Sequence, residues 1–149
     1  MKIIVDAFGG DNAPSEVLRG CAMAVKEYGV DILLTGDEAS IRACAQKEGI
    51  SLRGMEILHA PSVIPVEAEP TLIRTQYADC SMAAGLRLLS EGVGDAFVSA
   101  GSTGALVMGA SLIVRRIKGI KRAAIATVVP TMNGRYLLLD AGANAECRP

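Results

Sequence analysis

The sequence predicts an α/β fold in three layers, with a mostly parallel sheet between helices on both faces. Short segments rich in Ile, Val and Leu alternate with segments of helical spacing, and turn-forming residues separate them. The predicted strands are apolar on both faces, which is typical of parallel strands covered by helices on each side. Because 149 residues are enough to bury one core, we expect residues 1–149 to form a single α/β domain.

The first unit of this pattern is a strand, a glycine loop and a helix. Lys2–Asp6 is a β-branched run that stops at Phe8–Pro14, a cluster of turn residues with a proline at the start of the predicted helix. Apolar residues at helical spacing then run from Val17 to Tyr28. Gly29 is the expected end of this helix, because glycine readily adopts the left-handed conformation that closes helices.

The next two strands follow the same order. Asp31–Leu34 predicts a buried strand, and a helix over residues 38–48 should end at Gly49. Met55–His59 predicts a third strand. The segment Ala60–Glu67 that follows contains two prolines, which exclude a regular helix. We expect it to be an excursion loop.

A fourth strand and two helices are predicted after this loop. Helical spacing extends over Pro70–Ser90, although Asp79–Ser81 could interrupt it. Ala96–Ser99 predicts the strand, and an apolar helix should follow over Ala105–Ile117. A strand followed by a helix adds one more unit to the predicted parallel sheet and its covering helices.

Two more strands are predicted near the end of the chain, Ala124–Val129 and Tyr136–Asp140. The connection between them contains Asn133-Gly134, a strong hairpin signal. We therefore expect this last pair of strands to be antiparallel.

The composition excludes nucleic-acid binding and a spanning helix. With 15 Lys and Arg against 16 Asp and Glu, and 3% aromatic residues, the chain has neither a basic surface nor a base-stacking one. The longest apolar stretch, Ala105–Val114, is ten residues long, far short of the roughly 20 that cross a bilayer. The first residues lack the features of a secretory signal, so we expect a cytoplasmic protein.

The four cysteines suggest buried, reduced thiols. They lie far apart in the chain, and a single His accompanies them, so neither a zinc site nor a disulfide framework is expected. These cysteines are Cys21, Cys44, Cys80 and Cys147.

Three polar, glycine-rich loops follow predicted strands, at the edge where open α/β sheets bind ligands. The candidate residues in them are Gly9, Gly10, Asp11 and Asn12; Gly101, Ser102, Thr103 and Gly104; and Asp140, Gly142 and Asn144. Glycine lets backbone N–H groups approach an anion, and the helix that begins near Gly104 adds the positive end of its dipole. An anion cradle is the functional interpretation, and ordinary tight turns are the alternative. Arg116 and Lys118 could neutralise a bound phosphate or match the helix dipole.

No standard nucleotide or hydrolase motif is present. The chain lacks Gly-x-Gly-x-x-Gly after its first strand, a P-loop and Gly-x-Ser-x-Gly. His59, the single histidine, ends the third predicted strand and could act in acid/base chemistry or serve the structure. Asp6, Asp11 and Asp140 could bind Mg²⁺, but capping and turn formation by Asp are favoured. We therefore expect no metal site.

Five segments spread along the chain form a recognisable series: Val5–Pro14, His59-Ala60, Asp95–Ala105, Arg116–Ile120 and Leu138–Asn144. In these segments and in their order, the sequence resembles one family, the bacterial phosphate acyltransferases of phospholipid synthesis. Together they are far more specific than any single glycine loop.

The resemblance implies transfer of a long-chain acyl group from acyl carrier protein to inorganic phosphate, without a cofactor. It also implies a fold similar to the isocitrate and isopropylmalate dehydrogenases and the phosphotransacetylases, a homodimer, and loose association with the membrane surface, where a downstream acyltransferase uses the product. Because phosphate is itself the nucleophile, the enzyme has to position an anion and stabilise an oxyanion. We expect Gly101–Gly104 to hold phosphate and Asn144 and Asp11 to complete the pocket. Asn144 and His59 are the catalytic candidates.

The chain departs from the family pattern at two places and stops early. Ser102 stands where the family usually has Asn, and Arg74–Met82 lacks the family's paired lysines. The family continues beyond the point that corresponds to Pro149, so the resemblance implies the N-terminal part of a longer enzyme. Two alternatives stay open: a phosphotransacetylase-like enzyme that uses acyl-CoA, and a module that binds an anion or a partner without activity.

Overall fold

The computed structural model of the protein describes residues 1–120 and 123–139. Its central sheet contains four strands, in the order β3-β2-β1-β4. They are β1 (Lys2–Asp6), β2 (Asp31–Gly36), β3 (Met55–His59) and β4 (Ala96–Val98). All neighbouring pairs are parallel, with Val5 opposite Leu34 on one side and Val98 on the other. The predicted parallel sheet is confirmed; β2 runs on to Gly36, and β4 stops before Ser99.

Two helices with glycine ends cover one face of the sheet. α1 spans Ser15–Tyr28 and ends at Gly29, whose φ of 62° is left-handed. α2 spans Glu38–Glu48, begins at the capping residue Asp37 and ends at Gly49 with φ 65°. Both predicted ends are confirmed, because these positions need the conformation that glycine adopts without steric cost. Pro14 precedes α1 by one residue and is not its first residue.

The predicted helix over Pro70–Ser90 is divided. A short 3-10 helix spans Pro70–Arg74, and α3 begins only at Ser81 and runs to Ser90. The break spans residues 75–80 and includes part of the predicted interruption, because Cys80 has an extended backbone that pairs with Ser62 of the excursion loop. The Ser81 N–H donates to the Ser62 carbonyl at 2.9 Å. A long-range contact therefore overrides the local helical spacing.

The last helix of the sheet ends earlier than predicted. α4 spans Thr103–Gly109 and continues as a π-helical turn over Ala110–Val114. Arg115 then adopts a φ of 73°, which lies outside the right-handed helical region, so the helix stops before the predicted end at Ile117.

The chain divides into two compact units, Met1–Arg115 and Arg116–Pro149. In the second unit β5 (Ala126–Thr131) and β6 (Gly134–Leu139) form an antiparallel pair. The predicted hairpin is confirmed. Its turn is shorter than the predicted connection, because β5 continues through Pro130, which pairs with Arg135 of β6.

Two apolar clusters, one on each face of the sheet, form the core of the first unit. The cluster under α1 and α2 contains Val5, Ala7, Leu18, Cys21, Ile32, Leu34, Ile41 and Ala45. The cluster around α3 contains Ile64, Ile73, Cys80, Met82, Ala83, Leu86 and Ala105. Helices on both faces explain why the strands are apolar throughout, and the three-layer prediction is confirmed.

The cysteines of the described residues carry free thiols. Cys21 and Cys80 are buried, as predicted, and Cys44 is partly buried. Burial raises the pKa of the Cys21 thiol to about 11 and also raises the pKa of Cys80. Cys147 lies outside the described residues. None of the described helices is both long and apolar enough to cross a bilayer.

Two helical glycines give opposite stability predictions. A methyl group added at Gly20 in α1 would meet nothing within 4 Å, whereas one at Gly85 in α3 would lie 2.2 Å from the Phe97 ring. Gly20→Ala should raise the free energy of unfolding by about 0.5–1 kcal/mol, because alanine reduces the conformational entropy of the unfolded chain. Gly85→Ala should lower it by about 1–3 kcal/mol because the ring has to move. Urea denaturation of both variants measures this, and equal shifts would contradict the packing of α3 on β4.

Candidate active site at the carboxyl edge of the sheet

Two of the predicted glycine loops meet at the carboxyl edge of the sheet. Since β1 and β4 are neighbours, the loop at Gly9-Gly10 and the loop at Ser99–Gly101 begin side by side. A Cβ built on Gly9 would lie 2.8 Å from the Gly101 nitrogen and 2.5 Å from Ser99 Oγ. This close approach requires a residue without a side chain at position 9.

A buried carboxylate joins the two loops. Asp6, at the end of β1, is only 2% exposed. Its Oδ2 accepts a hydrogen bond from Ser99 Oγ at 2.8 Å, and its Oδ1 accepts from the Phe8 N–H at 3.1 Å. Ser99 Oγ in turn accepts from the Gly101 N–H at 3.1 Å. The network therefore fixes the loops to each other, and the Gly101 N–H serves this network rather than pointing freely at a ligand.

A small cavity of about 190 Å³ lies beside this network. The first glycine loop and Gly101 form its polar part, and the excursion loop forms its apolar part. The residues that line it are Asp6, Phe8, Gly9, Gly10, Asp11, Val63, Ile64, Pro65, Val66, Met82 and Gly101. Among the residues that the structure describes, this lining includes two carboxylates and no lysine or arginine, so an anion bound here would be met by backbone N–H groups and helix ends.

Two helices begin at this edge. Met82, in the first turn of α3, lines the cavity, and the following loop leads through Ser102 into α4. Ser102 is buried, and its Oγ accepts a hydrogen bond from the Ala105 N–H at 3.3 Å. Ser102 is therefore the cap of α4, while Thr103 and Gly104 are exposed in the first turn. Positive helix ends at the same edge favour a negatively charged ligand.

Ser81 adds an unusual polar atom to the first turn of α3. The residue is 1% exposed, and its Oγ has no hydrogen-bond partner among the residues that the structure describes. An unsatisfied buried hydroxyl is costly, and nothing in the sequence marks this serine as different from the others.

His59 lies away from the glycine loops. It ends β3, which is three strand spacings from β4, or about 14 Å at about 4.8 Å each. Its side chain is 53% exposed, its Nδ1 accepts from the Glu38 N–H at 3.3 Å, and it lies 3.6 Å from Asp37 Oδ1. The hydrogen bond from Ser40 lowers the pKa of Asp37. His59 and Asp37 thus together serve the start of α2.

The other predicted site residues separate into three groups. Asp11 and Asn12 are exposed at the first glycine loop, and the Asn12 carbonyl accepts from the Glu16 N–H at 3.2 Å. Arg116 and Lys118 belong to the second compact unit. A third set, Asp140, Gly142 and Asn144, lies outside the described residues. Within the described ranges, no group of three or more His, Cys, Asp or Glu residues is placed to hold a metal ion.

Sequence reasoning missed two parts of this site. It did not connect Asp6 with Ser99, and it gave Val63–Val66 no role in a cavity. The sequence did contain a sign of the contact between Asp6 and Ser99, since each of these polar residues ends an apolar strand. Their pairing depends on β4 lying next to β1, which the sequence pattern does not specify.

The fold and this edge define a class of protein, the α/β proteins built like phosphotransacetylases. EutD phosphotransacetylase from Staphylococcus aureus superimposes with a TM-score of 0.69 at 23% identity, over 99% of this chain and 48% of that chain. A phosphotransacetylase from Streptococcus pyogenes gives 0.67 at 20% identity, over 92% of this chain and 45% of that one. At these identities the likeness establishes the fold.

The sequence comparisons identify the family. The family model described as fatty acid synthesis protein matches residues 1–149, and the chain belongs to this family. A phosphate acyltransferase from Acetivibrio thermocellus is 47% identical over 150 residues, and one from Alkaliphilus oremlandii is 44% identical over 149 residues. Each match covers 100% of this chain and 44% of the relative. The chain thus spans less than half the length of these curated relatives.

Removing the Ser99 hydroxyl tests the network. Ser99→Ala leaves Asp6 Oδ2 and the Gly101 N–H without their common partner, so we expect a loss of about 1–3 kcal/mol in the free energy of unfolding. The Gly101 amide should also exchange its hydrogen faster. Ser51→Ala is the matched control, because that serine is exposed and its Oγ accepts the local Arg53 N–H at 3.3 Å. This substitution should change stability by less than about 0.5 kcal/mol. Equal effects of the two substitutions would argue against the network.

Proposed function

We propose that this chain is part of an enzyme that transfers a long-chain acyl group from acyl carrier protein to inorganic phosphate and so forms acyl phosphate. The observation that carries the proposal is the match of the whole chain to phosphate acyltransferases at 40–47% identity. The glycine loops at the carboxyl edge support it, because they offer a place for an anion without a side-chain nucleophile.

The proposed reaction needs few protein groups. A phosphate oxygen attacks the thioester carbonyl carbon, and the carbonyl oxygen becomes a tetrahedral oxyanion. The carbon–sulfur bond then breaks, the carrier leaves as a thiolate that takes up a proton, and the acyl group remains on phosphate. Positioning the anion against the thioester and stabilising the oxyanion are the two main contributions that an enzyme can make here.

Phosphate is proposed to bind at the exposed first turn of α4, where Thr103 and Gly104 are accessible. The helix dipole and backbone N–H groups favour an anion there. The buried Asp6 carboxylate favours a position on the outer side of the loop, away from its negative charge. Arg116 and Lys118 are proposed to neutralise part of the phosphate charge.

The remaining predicted residues keep their proposed roles. Asp11 and Asn12 are proposed to complete the pocket beside Gly9 and Gly10. Asp140, Gly142 and Asn144 are proposed to contribute from the third glycine loop, where Asn144 completes the pocket and is a catalytic candidate. The resemblance of the sequence to the phosphate acyltransferases supports these roles.

The proposed acid/base role of His59 can be separated from its contacts at α2. His59→Gln keeps an acceptor near the Glu38 N–H but loses the titrating ring. A general acid should lose about 10²-fold or more in kcat with this substitution, and the pH dependence of kcat should lose one limb. A change confined to the melting temperature would instead assign His59 to the structure of α2.

Two further properties complete the proposal. We propose that the enzyme is a cytoplasmic homodimer that works at the membrane surface, where an acyltransferase consumes the acyl phosphate. These properties are the ones that the resemblance of the sequence implies. Light scattering after gel filtration measures the dimer, and flotation with phospholipid vesicles measures membrane association.

A phosphate assay with two donors tests the function. Radiolabelled phosphate is incubated with acyl carrier protein that bears a C16 acyl group, or with the corresponding acyl-CoA, and acyl phosphate is measured. We expect product with the acyl carrier protein. Preference for acyl-CoA would favour the phosphotransacetylase-like alternative, whose fold the chain shares. Activity of a longer form, but not of this chain, would make these 149 residues a binding module.

Substitution of Gly101 provides a more local prediction. A Cβ at this position would lie 3.2 Å from Met82 Cε and 3.3 Å from Gly9 Cα. Gly101→Val should therefore push the two loops apart and abolish phosphate use. The far-UV circular dichroism of the variant should remain close to that of the wild type, and an unchanged KM for phosphate would refute the proposed cradle.

A further inference from the structure

A larger cavity lies on the other face of the sheet from the small one. It is a groove of about 720 Å³ between α1 and β1. Val98 of β4, the edge strand of the described sheet, pairs with Val5, forms part of the wall of the groove and is 53% exposed. The groove therefore leaves apolar side chains of the sheet open to a ligand.

The groove runs along the direction of the strands. At the carboxyl end it is lined by Asp6, Ser99 and Ala100, and at the amino end by Met1 and Tyr28. The length of β1 between these ends corresponds to roughly 17 Å at about 3.3 Å per residue. An extended hydrocarbon advances roughly 1.3 Å per carbon, from the length and angle of its bonds, so about a dozen carbons fit along the groove.

The chemistry of the lining selects an uncharged, apolar occupant. Ile3, Val17, Ala24 and Ile32 line the walls, and the charged side chains of the lining are the carboxylates of Glu16 and Asp6 near the carboxyl end. An anion would be repelled by these carboxylates, and no lysine or arginine among the described residues lines the groove to attract one. The volume is within the roughly 300–1,000 Å³ that is common for ligand pockets.

The carboxyl end of the groove reaches the candidate active site. Asp6 lines both cavities, and Ser99 and Ala100 belong to the loop that packs on the first glycine loop. A ligand whose tail occupies the groove would therefore place its head at the loops of the carboxyl edge.

We propose that this groove binds the hydrocarbon tail of the acyl donor, with the thioester at the loop of Ser99–Gly101. This inference rests on the proposed function, which supplies the acyl group, and adds where the acyl group binds. It makes chain-length preference a property of α1 and β1. Each CH₂ buried in the groove adds roughly fourfold to the affinity.

Gly20 provides the means to fill the groove. It lines the cavity from α1, and a Cβ built on it meets nothing within 4 Å. Gly20→Leu therefore places a branched side chain in the open space without a backbone clash, and it replaces a poor helix former with a good one. Ala43→Leu is the matched control, because Ala43 is an exposed position in α2 and does not line the groove.

The experiment measures the affinity of the purified protein for decanoyl and butyryl thioesters of N-acetylcysteamine by calorimetry. We expect decanoyl to bind more tightly, and the ratio of the two affinities to fall at least tenfold in Gly20→Leu and to stay constant in Ala43→Leu. An unchanged ratio in Gly20→Leu, or the same loss in Ala43→Leu, would overturn the proposal. A changed sedimentation coefficient of Gly20→Leu would also overturn it and would assign the groove to contact between copies of the chain.

Acyl phosphate formation is measured on the same samples, so the two proposals can fail separately. Product formation with an unchanged affinity ratio leaves the proposed function standing and rejects the groove. A ratio that falls as expected, when neither this chain nor its longer form makes acyl phosphate from acyl carrier protein or acyl-CoA, supports the groove and rejects the proposed function.

Discussion

The buried carboxylate of Asp6 is the interaction on which the rest of the site depends. It ends the central strand β1, and it receives hydrogen bonds from Ser99 Oγ and from the Phe8 N–H. A carboxylate that is 2% exposed is tolerated because hydrogen-bond donors replace water. These donors come from the loops that follow β1 and β4, so the same contact that satisfies the charge also fixes both loops. Glycine at position 9 follows from this arrangement, since any Cβ would intrude between Ser99 and Gly101.

Much of the fold could be predicted because local patterns determine it. Apolar runs marked the strands, and the glycines after α1 and α2 marked their ends, where the backbone turns left-handed. Prediction was less accurate where contacts between residues far apart in the sequence determine the bounds of a helix. The helix expected over Pro70–Ser90 is divided because Cys80 pairs with Ser62, and no spacing of apolar residues within the segment reveals that partner.

The same limit applies to the candidate site. The sequence placed polar loops at strand ends, but which loops meet is set by the strand order. With β1 between β2 and β4, the loops of Gly9 and Gly101 come together, whereas His59 on the edge strand β3 lies about 14 Å from β4. The prediction placed His59 in one site with the glycine loops, although a sheet of four strands is wide enough to separate them. Residue type alone also did not separate Ser102, which caps α4, from Thr103, which is exposed.

The two cavities divide the requirements of the proposed reaction between the faces of one sheet. The small cavity is polar where the glycine loops and helix ends meet, and the groove is apolar along the strand. A thioester with a long tail also has a polar and an apolar part. Its carbonyl carbon must react with an anion, whereas its hydrocarbon tail is stabilised by burial away from water. Asp6 lines both cavities, and its negative charge disfavours a phosphate deep within either of them. In the proposed reaction, phosphate would therefore bind at the outer rim of the loops, where backbone N–H groups and helix dipoles oppose its charge. The carbonyl carbon of a chain held in the groove would emerge at that same rim.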